Sequence, residues 1–283
     1  MWVETMIIAD GWKDYSLLDA GDGEKLEVWG EIKVIRPDPQ AIWARSKYAN
    51  WKDVHMHYHR SKSGGGSWEI KKKSPDSWTI DYKNMCFNIR PTGFKHMGLF
   101  PEQAVNWDWL QEIIKRPAKI LNAFAYTGAA TVACLKAKAH VVHVDASKGM
   151  NNQAKENIEL NMGKNCRIIT DDVKKFVERE IRRGNKYDGI IMDPPVFGRG
   201  PNGELWKLED HLYPLVQSCN KLLSDSPLFF LINAYTAGYS PSVFGNILSQ
   251  IIKIPNSIIS TGEIGIKSES GIILPCGMFA RVC

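Results

Sequence analysis

The sequence has no Cys-x-x-Cys pair and no long apolar run. Its six cysteines stand singly along the 283 residues, which predicts neither a zinc ribbon nor a thioredoxin-type redox site, and we expect reduced thiols. No stretch approaches the roughly 18 to 20 consecutive apolar residues that a membrane-spanning helix needs, and the first residues lack a signal-peptide pattern. We therefore expect a cytoplasmic protein with no membrane contact.

The composition is that of a folded domain, with 44% apolar and 24% charged residues and a net charge of +5. These values exclude disordered, collagen-like and coiled-coil proteins. The length is on the order of two average domains, so one large and one small domain are expected.

Charge is unevenly spread over the first third of the chain. Residues 1–32 hold two basic and eight acidic residues, net −6, whereas residues 33–95 hold thirteen basic and five acidic residues, net +8. Aromatic residues are interleaved with the basic ones: Trp43, Tyr48, Trp51, Tyr58, Trp68, Trp78 and Tyr82. Cations beside flat rings favour nucleic-acid contact. Alternatively, the rings form the core of a small β domain and the lysines a solvated face.

The rhythm of the sequence predicts two domains. Residues 1–90 contain short alternating segments separated by Pro and Gly, which indicates a small, mostly β domain with possible RNA contact. Residues 91–283 alternate apolar strands with amphipathic helices, which predicts an α/β domain with a parallel sheet covered on both faces. The predicted strands are 119–124, 139–144, 166–170, 187–192 and 227–232, and the predicted helices lie near 104–115, 128–137, 148–161, 172–183, 207–223 and 241–252. The tail, 258–266 and 271–282, reads as an antiparallel pair closing one sheet edge.

The turn after the first predicted strand of the α/β domain carries a single glycine. We call this segment, 122–128, the glycine turn; it contains Gly128 but no other glycine, where the dinucleotide fingerprint has three. A pyrophosphate needs close backbone approach at several points, so NAD and FAD are disfavoured. Side chains such as Phe124 and Tyr126 suit a cofactor without a pyrophosphate.

Carboxylates follow the next two predicted strands. Asp145 lies about 20 residues beyond the glycine turn, where it can accept hydrogen bonds from two ribose hydroxyls. Asp172 lies at a predicted helix start, where it can accept from an adenine amine or simply cap the helix. The sequence leaves both roles of Asp172 open.

The fourth predicted strand ends in Asp193-Pro194-Pro195-Val196-Phe197, which we call the diproline turn. Two prolines fix the backbone and leave carbonyls without competing donors, so Asp193 and a proline carbonyl can accept from an exocyclic amine while Phe197 stacks on the base. The alternative is that the two prolines only terminate the strand.

Together these motifs resemble the class I S-adenosylmethionine-dependent methyltransferases. Within them the sequence is most similar to the large-subunit ribosomal RNA methyltransferases that modify cytosine or guanine. The similarity covers roughly residues 90 to 283 and is carried by five segments: 94–103, 121–128, 144–147, 154–157 and 193–197.

The resemblance implies a Rossmann-like seven-stranded sheet, with its last strand antiparallel, that binds S-adenosylmethionine and releases S-adenosylhomocysteine. The residues it implies for cofactor binding are Gln103, Asn122, Phe124, Tyr126, Thr127, Gly128, Asp145, Ala146, Ser147, Asp172 and Asp193. The residues it implies for catalysis are Asp193, Pro194, Pro195 and Phe197.

One departure from these relatives bears on the reaction. Methylation at carbon 5 of cytosine requires attack by a cysteine thiolate, and relatives that perform it carry a cysteine after the fifth strand. Residues 231–238 contain none. Transfer to nitrogen needs only in-line placement of the amine, so we expect N-methylation of a ribosomal RNA base. The alternatives are a methyltransferase acting on a protein or small molecule, and a non-catalytic RNA-binding protein.

Three histidines alternate at positions 55, 57 and 59. Three imidazoles on one strand face can ligate a metal, but without nearby cysteines or carboxylates the pattern favours a polar sheet face. No metal is predicted. Arg199, just past the diproline turn, either clamps a phosphate or belongs to a surface loop.

Overall fold

The computed structural model describes residues 2–61, 65–199, 205–236 and 238–283. Within this part of the chain the strands are β1 (Trp2–Ile8), β2 (Tyr15–Gly21), β3 (Glu24–Trp29), β4 (Ile32–Pro37), β5 (Met56–Arg60), β6 (Gly66–Ile70), β7 (Trp78–Tyr82), β8 (Met85–Ile89), β9 (Lys119–Ala123), β10 (His140–Asp145), β11 (Cys166–Thr170), β12 (Gly189–Met192), β13 (Phe197–Arg199), β14 (Leu205–Lys207), β15 (Phe229–Ala234), β16 (Ile259–Lys267) and β17 (Ile273–Val282). The α-helices are α1 (Ala104–Ile113), α2 (Ala129–Lys136), α3 (Lys148–Leu160), α4 (Val173–Arg182), α5 (Leu208–Asn220) and α6 (Pro241–Ile251), and a 3₁₀-helix spans Pro101–Gln103.

The chain divides into two compact units. One contains Asn106–Ile264, Gly277–Cys283 and the residues up to Ile7, and the other contains Ile8–Val105 and Gly265–Cys276. The functional domain limits expected from the sequence, 1–90 and 91–283, remain predictions.

An eight-stranded mixed sheet dominates the α/β part of the chain, in the order β1-β16-β17-β15-β12-β9-β10-β11. Strands β15, β12, β9, β10 and β11 run parallel, and β17 pairs antiparallel with β15. The predicted α/β fold with an antiparallel closing strand is confirmed. The predicted count of seven strands is wrong, because β1 joins the sheet at its edge beside β16. Sequence rhythm could not assign this strand, since it lies far from β16 along the chain.

The central strands are buried along their whole length, as strands with helices on both faces must be. Every described residue of β12 and β15 is buried. Gly189 is required for this packing, because a Cβ there would lie 2.5 Å from the Phe229 ring. No helix among the described residues has both the length and the apolar character needed to cross a membrane.

The second unit is rich in β structure, as predicted. It holds a five-stranded sheet, β2-β3-β4-β5-β6, and the hairpin β7-β8. At its centre the Arg36 guanidinium binds the Glu27 carboxylate through two bonds of 2.6 and 2.7 Å, and the Tyr15 hydroxyl donates to Glu27 at 2.9 Å. Both charged side chains are buried, so this ion pair replaces the water that each charge has lost.

Most of the aromatic residues considered for base stacking help to build this unit. Tyr58 and Tyr82 are buried. Four indole N–H groups donate to residues of the same unit: Trp43 to Ala20, Trp51 to Asp19, Trp68 to Thr92 and Trp78 to Trp29. Tyr48 differs, since it is 87% exposed, with the Lys47 ammonium 5.2 Å from its ring centre. RNA contact by this unit remains a prediction.

Candidate active site

The turns predicted to carry the chemistry follow neighbouring parallel strands. Ala123, at the end of β9, pairs with Val144 of β10 on one side and with Met192 of β12 on the other. The backbone N–H of Asp193 also points to the Ala123 carbonyl, at 3.4 Å. The glycine turn, Asp145 and the diproline turn therefore lie at one edge of the sheet, where open α/β sheets bind their ligands.

The glycine turn has an uncommon backbone. Phe124, Tyr126 and Gly128 have φ angles of 55°, 50° and 84°, so three alternate residues occupy the left-handed region. For a residue with a side chain this conformation costs on the order of 1 kcal/mol or more and is concentrated at functional sites. The turn is held in place by hydrogen bonds from the Ala125 N–H to the Val144 carbonyl and from the Gly128 N–H to the Ala125 carbonyl, each of 3.1 Å.

The Asp145 carboxylate accepts hydrogen bonds from the glycine turn and from the segment before α3. One oxygen accepts from the Tyr126 N–H at 2.9 Å and the other from the Ser147 N–H at 2.8 Å. Burial raises the pKa of Asp145 above its ordinary value, although both backbone donors act in the opposite direction. Each oxygen has further lone-pair capacity, and the role of Asp145 at a ribose remains a prediction.

Gly128 allows the glycine turn to approach α3. A Cβ at this position would lie 3.0 Å from the Cβ of Ala154, and its φ of 84° also disfavours any other residue. A hydrogen bond between the two elements stabilises this approach: Asn157 of α3 donates its Nδ2 to the Thr127 carbonyl of the glycine turn at 2.9 Å. Ala154 and Asn157 belong to a segment that carried the resemblance, but sequence reasoning gave neither a role. The available signal was an amide on the apolar face of an amphipathic helix.

Buried hydrogen bonds also connect the start of the glycine turn to α2 and β10. The Asn122 Nδ2 donates to the Thr131 hydroxyl, which lies 2.9 Å from His143 Nδ1. Burial lowers the pKa of His143 to about 4, so its imidazole is neutral at pH 7. The Asn122 side chain thus holds the start of the glycine turn against α2. Direct cofactor contact by Asn122 remains a prediction.

Asp172 caps helix α4. Its Oδ1 accepts from the Lys175 N–H at 2.9 Å, which is the capping role that the sequence left open. The preceding residue, Asp171, donates its N–H to the Asp145 carbonyl at 3.1 Å and forms an ion pair with Arg179. An additional role for Asp172 at an adenine remains a prediction.

The diproline turn changes from buried to exposed along its length. Pro194 is buried and Asp193 is half-buried, whereas Phe197 is 58% exposed at the start of β13. The Pro195 carbonyl accepts a hydrogen bond of 2.6 Å from the indole N–H of Trp206. Sequence reasoning missed Trp206, because it lies in β14, a three-residue strand that periodicity does not reveal.

The remaining predicted cofactor residues have different surroundings. Ala146 is exposed at the start of the turn before α3, and the Ser147 hydroxyl caps that helix by accepting from the Met150 N–H at 3.3 Å. Gln103 is the buried last residue of the 3₁₀-helix and belongs to the other compact unit. Its proximity to a cofactor remains a prediction.

The alternating histidines have different hydrogen-bond partners. His55 Nδ1 accepts from the Lys33 N–H at 3.0 Å. His57 pairs with Glu24 at 2.7 Å, and His59 pairs with Glu69 at 2.8 Å. Donor atoms of His57, His59 and Glu69 lie within 4.8 Å of one another. The expectation that no carboxylate lies near these histidines is therefore wrong, and the absence of a metal here stays a prediction.

Comparison with known proteins identifies relatives of the whole chain. A family model described as S-adenosylmethionine-dependent methyltransferase matches residues 31–210. The crystal structure of a SAM-dependent methyltransferase from Agrobacterium tumefaciens is 35% identical and superimposes with a TM-score of 0.92, covering 99% of this chain and 93% of that chain.

Two curated proteins share shorter stretches. Ribosomal RNA large subunit methyltransferase K/L of Syntrophotalea carbinolica is 29% identical over 185 residues, which are 64% of this chain and 25% of that protein. Ribosomal RNA large subunit methyltransferase I of Yersinia pseudotuberculosis is 42% identical over 82 residues, which are 28% of this chain and 21% of that protein. The matched stretches thus span a quarter or less of these relatives.

Proposed function

This chain belongs to the S-adenosylmethionine-dependent methyltransferase family, and from that premise we propose that it methylates a nitrogen of a ribosomal RNA base in the cytoplasm. The observation that carries the proposal is the meeting of Asp145, the glycine turn and the diproline turn at one sheet edge. The ribosomal substrate is supported by the stretches shared with two ribosomal RNA methyltransferases.

The glycine turn and Asp145 would hold the cofactor. When bound, S-adenosylmethionine supplies an electrophilic methyl group on a sulfonium. The Asp145 carboxylate is oriented by the Tyr126 and Ser147 N–H groups, and it would accept the two ribose hydroxyls. Charge-assisted hydrogen bonds of this kind are about twice as strong as neutral ones.

The diproline turn would hold the target amine. The Asp193 carboxylate and the Pro194 carbonyl accept its hydrogens and orient the nitrogen, while the exposed Phe197 ring is available to stack on the base. Orientation of two reactants in this way supplies much of the rate of a reaction that needs no covalent intermediate.

The state of the thiols supports transfer to nitrogen rather than to carbon 5 of cytosine. Burial raises the pKa of all six cysteines, to about 11 for Cys86 and about 12 for Cys166 and Cys219. Attack on a pyrimidine ring requires a thiolate, which is made available by a lowered pKa or an adjacent base. Cys219, moreover, is buried within α5.

Methyl-labelled S-adenosylmethionine and ribosomal RNA test the proposal directly. After incubation the RNA is digested to nucleosides and the label is located by mass spectrometry, with Asp193→Ala as the impaired control. We expect a base methylated on nitrogen. Labelled 5-methylcytosine would contradict the choice of atom, and label in protein or a small molecule would support a different substrate class.

A salt titration of RNA binding separates RNA substrates from the other classes. An enzyme that contacts six or more phosphates loses RNA affinity by about a thousand-fold or more between about 50 and 200 mM salt. Binding of S-adenosylhomocysteine without any transfer would instead favour the non-catalytic RNA-binding alternative.

A further inference from the structure

We propose that Trp206 is a positioning residue that couples the glycine turn to the diproline turn. The inference deepens the proposed function and rests on it, since it assigns to a residue outside both turns the task of setting their relative geometry. Two contacts of one side chain carry it.

The first contact fixes the diproline turn. The Trp206 indole N–H donates to the Pro195 carbonyl at 2.6 Å. A proline has no N–H, so the backbone of Pro194-Pro195 cannot donate the hydrogen bonds that ordinarily hold a strand end. The bond from Trp206 therefore supplies an anchor to a segment that has lost two of its own donors, and it leaves the Pro194 carbonyl for the target amine.

The second contact supports the glycine turn. The Trp206 ring centre lies 5.3 Å from that of Phe124, at an interplanar angle of 56°. Phe124 holds a left-handed φ of 55°, a conformation that persists only where surrounding contacts stabilise it. An aromatic pair of this geometry contributes on the order of 0.5–1.5 kcal/mol beyond its buried area.

Trp206 is itself held in place, as a positioning residue must be. It pairs with Gly198 across β13 and β14. The His211 ring stacks on it at 5.2 Å with an interplanar angle of 25°, and His211 Nδ1 lies 2.9 Å from the Lys207 carbonyl. The indole is thus fixed by strand pairing and by a ring that is anchored in turn.

Two substitutions separate the two contacts. Trp206→Phe keeps a ring against Phe124 but removes the N–H, so we expect kcat to fall about tenfold through lost orientation while the Kd for S-adenosylhomocysteine changes by less than about twofold. Trp206→Ala removes both contacts, so we expect that Kd to rise by about fivefold as well. A residue that only stabilises the fold would not produce this graded pattern.

Trp78→Phe is the matched control. Trp78 also donates its indole N–H to a backbone carbonyl, that of Trp29 at 2.9 Å, but it belongs to the other compact unit. Thermal unfolding of each variant shows whether it is folded at the assay temperature. The Kd for S-adenosylhomocysteine is measured calorimetrically and kcat with labelled cofactor and RNA.

The result that overturns the inference is a folded Trp206→Phe variant with the kcat of the wild type, or losses equal to those of Trp78→Phe. If the wild type methylates no RNA, the proposed function fails. The calorimetric Kd for S-adenosylhomocysteine still tests the role of the contact with Phe124, because it needs no methylated substrate. An unchanged Kd in Trp206→Ala would contradict the coupling.

Discussion

The side-chain amide of Asn157 donates to the Thr127 carbonyl at 2.9 Å, although the two residues are 30 positions apart. Asn157 is buried within α3, and Thr127 lies in the glycine turn. The bond pairs two buried polar groups and holds the turn against the helix. The geometry of the glycine turn thus depends on a residue outside the cofactor set that the sequence resemblance implies.

Replacement of Asn157 should weaken both the fold and cofactor binding. Asn157→Ala removes the buried hydrogen bond to the Thr127 carbonyl, so we expect a loss of about 0.5–1.5 kcal/mol in the free energy of unfolding and several-fold weaker binding of S-adenosylhomocysteine. Denaturant titration and calorimetry measure the two effects. Asn152→Ala, at an exposed position of the same helix, is the control, and equal effects in both variants would contradict the role of Asn157.

The Asp145 carboxylate should determine cofactor affinity. Asp145→Ala removes the acceptor that we propose for two ribose hydroxyls, and we expect the Kd for S-adenosylhomocysteine to rise about tenfold or more. Calorimetric titration measures this change. Glu159→Ala, which removes an exposed carboxylate from α3, should leave the Kd unaltered. An unchanged affinity in Asp145→Ala would show that the ribose is bound elsewhere.

Asp193 should act on transfer rather than on binding. Asp193→Ala removes the acceptor that we propose for the target amine, so we expect S-adenosylhomocysteine to bind as before while the rate of transfer falls about a hundred-fold. Single-turnover assays with labelled cofactor measure the rate. A variant with undiminished transfer would place the target site away from the diproline turn.

The close approach at Gly128 can be separated from its backbone conformation. Gly128→Ala meets a left-handed φ and a contact of 3.0 Å with Ala154, whereas Gly184→Ala meets a left-handed φ of 66° with no atom within 4 Å of the new Cβ. Both should lose about 1 kcal/mol of unfolding free energy from strain. Only Gly128→Ala should lose additional unfolding free energy from the contact with Ala154, and only this variant should bind S-adenosylhomocysteine more weakly. Identical unfolding curves for the two variants would show that α3 shifts to accommodate the new Cβ.

The buried Glu27 should make stability depend on pH. Interactions with Arg36, Lys25 and Tyr15 lower the pKa of Glu27, with burial opposing them. A carboxyl whose pKa is lowered in the folded state stabilises the fold above its unfolded pKa of about 4.3, and this contribution is lost as pH falls through the folded value. Glu27→Gln should lose about 3–5 kcal/mol at pH 7, because Arg36 is left unpaired.

Unfolding measured from pH 7 down to pH 3 checks this prediction. The wild type should lose stability over the acid range. Glu27→Gln should lose less, because it lacks the carboxylate whose protonation destabilises the wild type. Glu159→Gln, in an exposed pair with Lys155, should cost less than about 0.5 kcal/mol. Parallel pH curves for the wild type and Glu27→Gln would contradict the assignment.

Local patterns in the sequence were sufficient for the parallel strands and for the positions that follow them. Apolar runs bounded by turn residues predicted β9, β10, β11 and β15 to within a few residues, because the strands of a sheet covered by helices on both faces are largely apolar. The carboxyl ends of parallel strands share one edge, so the positions of Asp145 and Asp193 followed from chain order alone.

Tertiary structure decided the features that join residues distant in sequence. The edge strand β1 pairs with β16 more than 200 residues later, and Asn157, Trp206 and Gly128 act through contacts with partners on other elements. Periodicity reports which face of an element is buried, but it does not report which partner covers that face. The sequence therefore determined the fold class and which turns share one edge of the sheet, whereas packing decided which side chains stabilise the conformation of those turns.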